Sequence, residues 1–219
     1  MADGDSGLQI INIRNRQAPV LVASYDTPGS AHNVYVYSGI AYVADGKAGL
    51  QLIFIGNPRT PVLLGSYKTM SYAYGVFVLG NYAYVADGQA GLRVIDISNP
   101  RAPVFRGHYS IWDNAYYGVY VLGNYAYAAD GQAGLRVIDI SNPRVPLLAG
   151  GYDTPGLANS VFVSGNFAYA ADGQAGLQVI DISNPRAPLL AGSYDTPGNA
   201  NSVFVSGNFA YVADGKAGL

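Results

Sequence analysis

The stretch Gly91-Leu92-Arg93-Val94-Ile95-Asp96-Ile97-Ser98-Asn99-Pro100-Arg101-Ala102-Pro103 decides the fold, because it returns nearly unchanged at 134–146 and 176–188. Looser copies at 7–19 and 49–61 keep the Gly-Leu opening and the closing proline. Working outward, the tripeptide Ala-Asp-Gly begins at 2, 44, 86, 129, 171 and 213, so the copies recur every 42 residues, with one period of 43. A fixed period of this size means a repeat architecture. Any specific activity then has to sit where the copies differ.

Each period holds four short apolar runs bounded by Gly, Pro and Asn. In the second, residues 76–79 alternate and stop at Gly80-Asn81, residues 83–86 follow, residues 92–97 come after the turn Asp87-Gly88-Gln89-Ala90-Gly91, and residues 104–109 follow Asn99-Pro100-Arg101-Ala102-Pro103. Links this short make neighbouring strands antiparallel, so each period predicts a four-stranded meander. Units of this length are the size of propeller blades. The N-terminus opens with a turn and then third and fourth strands (about 8–13 and 20–25). The C-terminus ends with first and second strands (about 203–206 and 210–213) and a copy of the same turn. The expectation is an all-β, single-domain, five-bladed β-propeller over 1–219. Its blades fall at about 33–67, 75–109, 118–152 and 160–194, and a fifth is closed by two strands from each terminus, 202–219 together with 1–25. Closure would hide two apolar strand edges. A monomer is expected, with blade exchange between molecules as the other arrangement.

Composition narrows the function classes. Half of the 219 residues are hydrophobic and 19 are Tyr, enough for a strand-rich core. Charged residues are 12% of the chain, the net charge is −2 and all the acids are Asp. There is no basic footprint for nucleic acid and no polybasic patch for a membrane. Without cysteine there is no disulfide framework and no thiol chemistry. No apolar run approaches the roughly 18 residues of a spanning helix, and residues 1–20 lack the basic-then-apolar pattern of a leader peptide.

The runs Leu-Arg-Val-Ile-Asp-Ile-Ser at 92–98 and 135–141 and Leu-Gln-Val-Ile-Asp-Ile-Ser at 177–183, each preceded by a Gly-Asn-aromatic-Ala-Tyr hairpin, resemble the LVIVD repeat family over the whole chain. The first two copies depart from the motif, with Ile10-Ile11-Asn12-Ile13 and Leu52-Ile53-Phe54-Ile55. The resemblance implies a prokaryotic β-propeller, often exported or surface-associated. It implies no catalytic residues, and five blades are few for the family.

The Asp of each Ala-Asp-Gly (Asp3, Asp45, Asp87, Asp130, Asp172, Asp214) reads as turn chemistry rather than as a metal ring. Asp96, Asp139 and Asp181 read as Asx-type closures into the Asn-Pro bend. Arg93 and Arg136, exchanged for Gln in other copies, read as a solvated strand face. No metal or cofactor is expected. His32 and His108 lack triad or ligand partners, but His32 is level with Tyr74, Tyr117, Asn159 and Asn201, and these five residues would ring one mouth of a channel lined by first strands.

The fourth-to-first loops vary most. Three read Tyr-Asp-Thr-Pro-Gly (25–29, 152–156, 194–198), and two adjacent ones do not: 68–74, with Tyr72 and Tyr74, and 110–117, with Trp112, Tyr116 and Tyr117. These aromatics could form a patch that stacks on sugar rings or anchors a peptide, or they could cover the gap between blades. The expectation is a non-enzymatic scaffold acting as a binding or interaction module for glycan or for protein or peptide. The candidate contacts are Trp112, Tyr116, Tyr117, Tyr72, Tyr74, His32, Asn159 and Asn201. The alternative is a designed or repeat-amplified propeller, or a fragment of a larger one, with no ligand. A hydrolase or lyase at the channel mouth is disfavoured by the lack of Glu, Cys and clustered His.

Overall fold

A computed structural model describes residues 1–110 and 115–218. Among them the chain is all β apart from one 3-10 turn at Gly215–Ala217, and no helix is long and apolar enough to cross a membrane. The strands are β1 (Leu8–Asn12), β2 (Val20–Tyr25), β3 (Asn33–Tyr37), β4 (Ile40–Ala44), β5 (Leu50–Phe54), β6 (Val62–Tyr67), β7 (Gly75–Leu79), β8 (Tyr82–Ala86), β9 (Leu92–Asp96), β10 (Val104–Tyr109), β11 (Gly118–Leu122), β12 (Tyr125–Ala129), β13 (Leu135–Asp139), β14 (Leu147–Tyr152), β15 (Ser160–Ser164), β16 (Phe167–Ala171), β17 (Leu177–Asp181), β18 (Leu189–Tyr194), β19 (Ser202–Ser206) and β20 (Phe209–Ala213).

Strands β3–β6, β7–β10, β11–β14 and β15–β18 form four four-stranded sheets in sequence order, as the period requires. The chain divides into two compact units. One is Met1–Asp87 with Arg93–Arg106, and the other is Gly88–Leu92 with Gly107–Leu219. In the first, β3 packs on β7; in the second, β11 packs on β15 and β15 on β19. First strand on first strand is the arrangement expected of propeller blades. The sequence predicts one closing sheet from the two termini; the structure has β1–β2 as a two-stranded sheet of the first unit and β19–β20 as a two-stranded sheet of the second. At the edge of β1, Met1 and Gln9 exchange backbone hydrogen bonds (2.8 and 2.9 Å), and Ala2 bridges Leu8.

Packing follows the alternation of the strands. The middle strands β4, β8 and β12 carry Ala and Val toward buried surroundings, and third-strand Ile53, Ile95, Ile138 and Ile180 are fully buried. Each is inserted one residue past a register shift where the structure gives the third-to-fourth ladder, for example between Val179 and Ile180. Such a bulge re-aims the strand toward the neighbouring sheet. The hydrophobic clusters accordingly combine third-strand residues of one repeat with second- and third-strand residues of the next: Leu135 lies with Ala168, Ala170 and Ile180.

Candidate functional site

The Ala-Asp-Gly turns organise the loop end of each repeat. Asp45 N–H donates to Gly49 O (2.8 Å) and Ala48 N–H to Asp45 O (3.0 Å), so the backbone closes the turn by itself. Gly49 has φ +80, and a Cβ there would meet Tyr67 O at 2.3 Å, which explains why this position is glycine. The carboxylate is thereby freed to act across repeats. Asp45 accepts from Thr27 Oγ1 (2.6 Å) and Gly29 N–H (2.9 Å) of the preceding loop. Asp172 holds Thr154 and Gly156 in the same way, and Asp214 holds Thr196 and Gly198. These acids are therefore loop braces, a role more specific than the local turn chemistry expected of them.

Where Thr-Pro-Gly is missing, arginine enters. Arg93 Nε lies 3.0 Å from Asp87 Oδ2, and Arg136 Nε lies 3.2 Å from Asp130 Oδ2. Arg93 is 5% exposed, which overturns its reading as a solvated position. The corresponding Gln51 and Gln178 are also buried, each donating to a carbonyl of its own Asp turn, Ala48 O and Ala175 O. Position two of the third strand faces the brace, so its residue is matched to the loop the brace holds. Asp96, Asp139 and Asp181 behave as expected, with Oδ1 accepting from the N–H two residues on (3.0, 2.9 and 2.8 Å). The Ser98 and Ser141 hydroxyls and then these N–H groups hold Asp96 and Asp139 below the usual carboxylate value, and the Ser183 N–H and then its hydroxyl do the same for Asp181.

Asp130 is the exception among the braces. It is fully buried, its Oδ1 has no partner among the described residues, and burial pushes its pKa up to about 6 despite Arg136. Arg136 also reaches Asp153 (3.3 Å). Among the described residues no group of three His, Cys, Asp or Glu side chains converges as metal ligands would.

The candidate contact residues separate. In the first unit, the His32 and Tyr74 rings lie 5.0 Å apart and the Tyr72 and Tyr74 rings stack at 6.0 Å. Lys47 Nζ sits 5.3 Å over the Tyr72 ring, and the Tyr72 hydroxyl beside it raises the ammonium's pKa. His32, Lys47 and Tyr72 are exposed, and Met70 beside them is 80% exposed. His32, Lys47, Tyr72 and Tyr74 make a cationic–aromatic surface from two consecutive repeats. Sequence reasoning found three of them and missed Lys47, although its position is readable: it is Gln89, Gln132 and Gln174 in the complete repeats that follow.

In the second unit the picture changes. Trp112 lies outside the described residues. Tyr116 is 1% exposed, with a buried hydroxyl that has no partner among the described residues, so it is a core residue and not a surface contact. It occupies the bridge position that is Ala31, Ala73, Ala158 and Ala200 elsewhere, and the bridge turns its side chain inward. Tyr117 is half-buried against the Gly131 turn. Asn159 spends its amide on Ala200 O (3.0 Å), and Asn201 accepts from Asn199 (2.8 Å). A shallow depression of about 560 Å³ lies between Gln132, Gly156, Leu157, Gln174 and Asn199.

Sequence reasoning also passed over a run of rings at the centre of the first strands. Tyr35 and Phe77 stand 4.6 Å apart in one unit, and Tyr120, Phe162 and Phe204 follow at 5.0 and 5.1 Å in the other. The signal was present in the repeated Val-aromatic-Val of these strands.

The fold is shared with solved structures of low sequence identity. The computationally designed protein Ika8 aligns at 10% identity and TM-score 0.70, covering 89% of this chain and 59% of its own. A functionally unknown protein from Desulfotomaculum acetoxidans aligns at 14% identity and TM-score 0.71, covering 90% and 65%. U3-55K aligns at 13% identity and TM-score 0.73, covering 97% and 69%. The chain thus spans about two thirds or less of the first two of these structures, and what they share with it is the fold alone. No curated protein matches the chain. Segments 1–27, 28–69, 71–111, 117–154, 155–196 and 197–219 each match the LVIVD repeat, and the chain, from end to end, belongs to that repeat family.

Proposed function

We propose that this chain is a non-enzymatic propeller scaffold that binds a glycan or peptide through the loop surface formed by His32, Lys47, Tyr72 and Tyr74. The observation that carries the reading is the stacked Tyr72–Tyr74 pair with Lys47 above Tyr72, in which Tyr72 is exposed at a loop position that holds Ser30, Ala115, Leu157 and Asn199 in the other copies. Exposed, preorganised aromatic rings beside a cation suit the apolar face of a sugar or an aromatic or acidic peptide side chain. Rigid repeats carrying variant loops are the usual way a scaffold gains a binding site. A glycan array and a peptide array, followed by thermal-shift titration of each hit, test it: a ligand specific to this surface raises Tm with concentration. A complete lack of concentration-dependent shifts overturns it in favour of a scaffold without ligand.

A further inference from the structure

The bridges between repeats build a second surface feature, and all of its residues belong to the second unit. Ala158 N–H donates to Gly131 O (2.9 Å), which sets Leu157 beside the turn residue Gln132. One repeat on, Gly173 and Ala200 exchange two backbone hydrogen bonds (3.1 and 2.9 Å), which sets Asn199 beside Gln174 in the same way. Between these two pairs lies the depression of about 560 Å³, and Pro155, Gly156 and Ala175 complete its lining. The loop that carries Pro155 is held firmly. Gly156 N–H donates to the buried Asp172 carboxylate (2.8 Å), and a Cβ on Gly156 would meet Asp172 O at 2.1 Å, so only glycine lets this loop lie flush on the turn beneath it.

The first unit shows the same seat filled. There the bridge of Gly46 and Ala73 (3.1 and 3.0 Å) sets Tyr72 beside Lys47, and the tyrosine ring lies 5.3 Å from the ammonium group. Leu157 and Asn199 are smaller than tyrosine, and Gln132 and Gln174 carry carboxamides in place of the ammonium. The lining of the depression contains no Lys, Arg, His, Asp or Glu. Gln132 and Gln174 are exposed, and each amide offers two donors and an acceptor. Asn199 gives an amide hydrogen to Asn201 Oδ1 (2.8 Å), which leaves its own carbonyl oxygen as an acceptor. Pro155 and Leu157 are exposed beside these groups and add apolar contact. Neutral groups that both donate and accept, next to C–H surface, match the hydroxyls and ring C–H groups of a neutral sugar. A charged ligand would lose water without meeting an opposite charge in the lining.

We propose that this depression binds a neutral sugar unit, with Gln132, Gln174 and Asn199 hydrogen-bonding its hydroxyls and Pro155 and Leu157 against its C–H face. Its volume falls within the roughly 300–1,000 Å³ of small-molecule sites. The site shares no residue with the His32, Lys47, Tyr72 and Tyr74 surface and does not depend on that reading.

The test is titration of the isotope-labelled full chain with methyl glucoside, methyl galactoside and methyl mannoside, followed through backbone and side-chain amide signals by NMR. At least one of the three is expected to shift the Gln132, Leu157, Gln174 and Ala175 signals saturably. Gln174→Ala removes an exposed amide and is expected to weaken that binding by about fivefold, the worth of one hydrogen bond. Leu157→Tyr places a ring where Tyr72 stands in the first unit and is expected to abolish it. Both variants are expected to keep the wild-type spectrum away from the site, since the substituted positions are exposed. Tyr72→Ala is expected to leave this binding unchanged. Methyl glucuronide, which adds a carboxylate, is expected to bind on the order of tenfold more weakly than the glucoside. The proposal is overturned by the absence of a saturable shift at these residues with all three glycosides. Unchanged affinity in either Gln174→Ala or Leu157→Tyr, or glucuronide binding as tight as that of the neutral glycosides, overturns it as well. Shifts confined to Lys47, Tyr72 and Tyr74 overturn it while supporting the surface of the first unit. Shifts confined to the depression support it and count against sugar binding at that other surface.

Discussion

Gly88 and Tyr116 exchange two backbone hydrogen bonds, Gly88 N–H to Tyr116 O at 3.2 Å and Tyr116 N–H to Gly88 O at 3.0 Å. The same pair is made by glycine and alanine in the four equivalent bridges. A bridge that elsewhere holds alanine here places a tyrosine in the interior, with its hydroxyl unpaired among the described residues. Leaving a buried donor unsatisfied costs about 1–3 kcal/mol. Tyr116→Phe removes that hydroxyl and keeps the ring, so it is expected to hold or raise stability by about 1 kcal/mol. Tyr116→Ala empties a ring-sized space and is expected to lose about 3–5 kcal/mol. Urea denaturation of the two variants checks both, and a Phe variant less stable than wild type means that the hydroxyl has a partner in solution.

Asp130 gives a pH signature. Its pKa in the folded chain is raised by burial to about 6, above the ordinary value, so the folded state takes up a proton more readily than the unfolded one. The sign follows: stability rises as pH falls from about 6 toward 4, and the penalty of the buried charge is fully present above 6. Burial also raises Asp45 and Asp172, while Asp96, Asp139 and Asp181 are lowered and lose stability only at more acidic pH. Asp130→Asn keeps an acceptor for Arg136 and removes the charge. It is expected to be more stable than wild type at pH 7 by about 2 kcal/mol, with the difference shrinking toward pH 4.5. A difference that stays constant over that range contradicts the assignment.

The period, the strand positions and the four complete sheets were legible because Gly, Asn-Pro and Asp-Gly punctuate every copy. The brace between Asp45 and Thr27 was not, since the partners are 18 residues apart and belong to different repeats. Nor was the burial of Arg93: a charged residue alternating with Gln reads as solvated until its partner Asp87 is seen beneath it. Tyr116 misled for a related reason. Its neighbours in sequence are loop residues, and only the bridge register shows that it replaces a buried alanine. In the candidate site, the aromatic members announced themselves by breaking the repeat, whereas Lys47 did not, because the same position holds Gln89, Gln132 and Gln174 in the next three copies and Lys216 in the last.

The match between loop and third strand predicts a compensating pair. Arg93→Gln leaves the buried Asp87 with only the Met70 and Ser71 N–H groups (3.0 and 3.1 Å). Removing one partner of a buried ion pair costs about 3–5 kcal/mol, and the two remaining bonds place the expected loss near the lower end. Adding Met70→Pro and Ser71→Gly rebuilds Thr-Pro-Gly after Thr69, so that Asp87 gains the Thr hydroxyl and Gly N–H partners that Asp45 has. The triple variant is expected to recover most of the loss in thermal denaturation. Additive losses across the three substitutions would instead show that Arg93 and the loop are not coupled.

The loop surface is tested by separating binding from stability. Tyr72 is 40% exposed, and its ring contacts are Lys47 and Tyr74. Truncating an exposed side chain of this kind changes stability by less than about 0.5 kcal/mol. If Tyr72 is a contact anchor, Tyr72→Ala should nonetheless weaken any array hit by more than about 1 kcal/mol. Lys47→Gln, which restores the residue of the following repeats, distinguishes the ligand classes. Loss of affinity with Lys47→Gln that weakens as salt is raised indicates an anionic or acidic-peptide ligand, because screening acts on the exposed charge. Retained affinity with Lys47→Gln and lost affinity with Tyr72→Ala indicates stacking on a neutral sugar. Calorimetry of both variants against the same hit reads the outcome, and unchanged affinity in both removes this surface as the binding site.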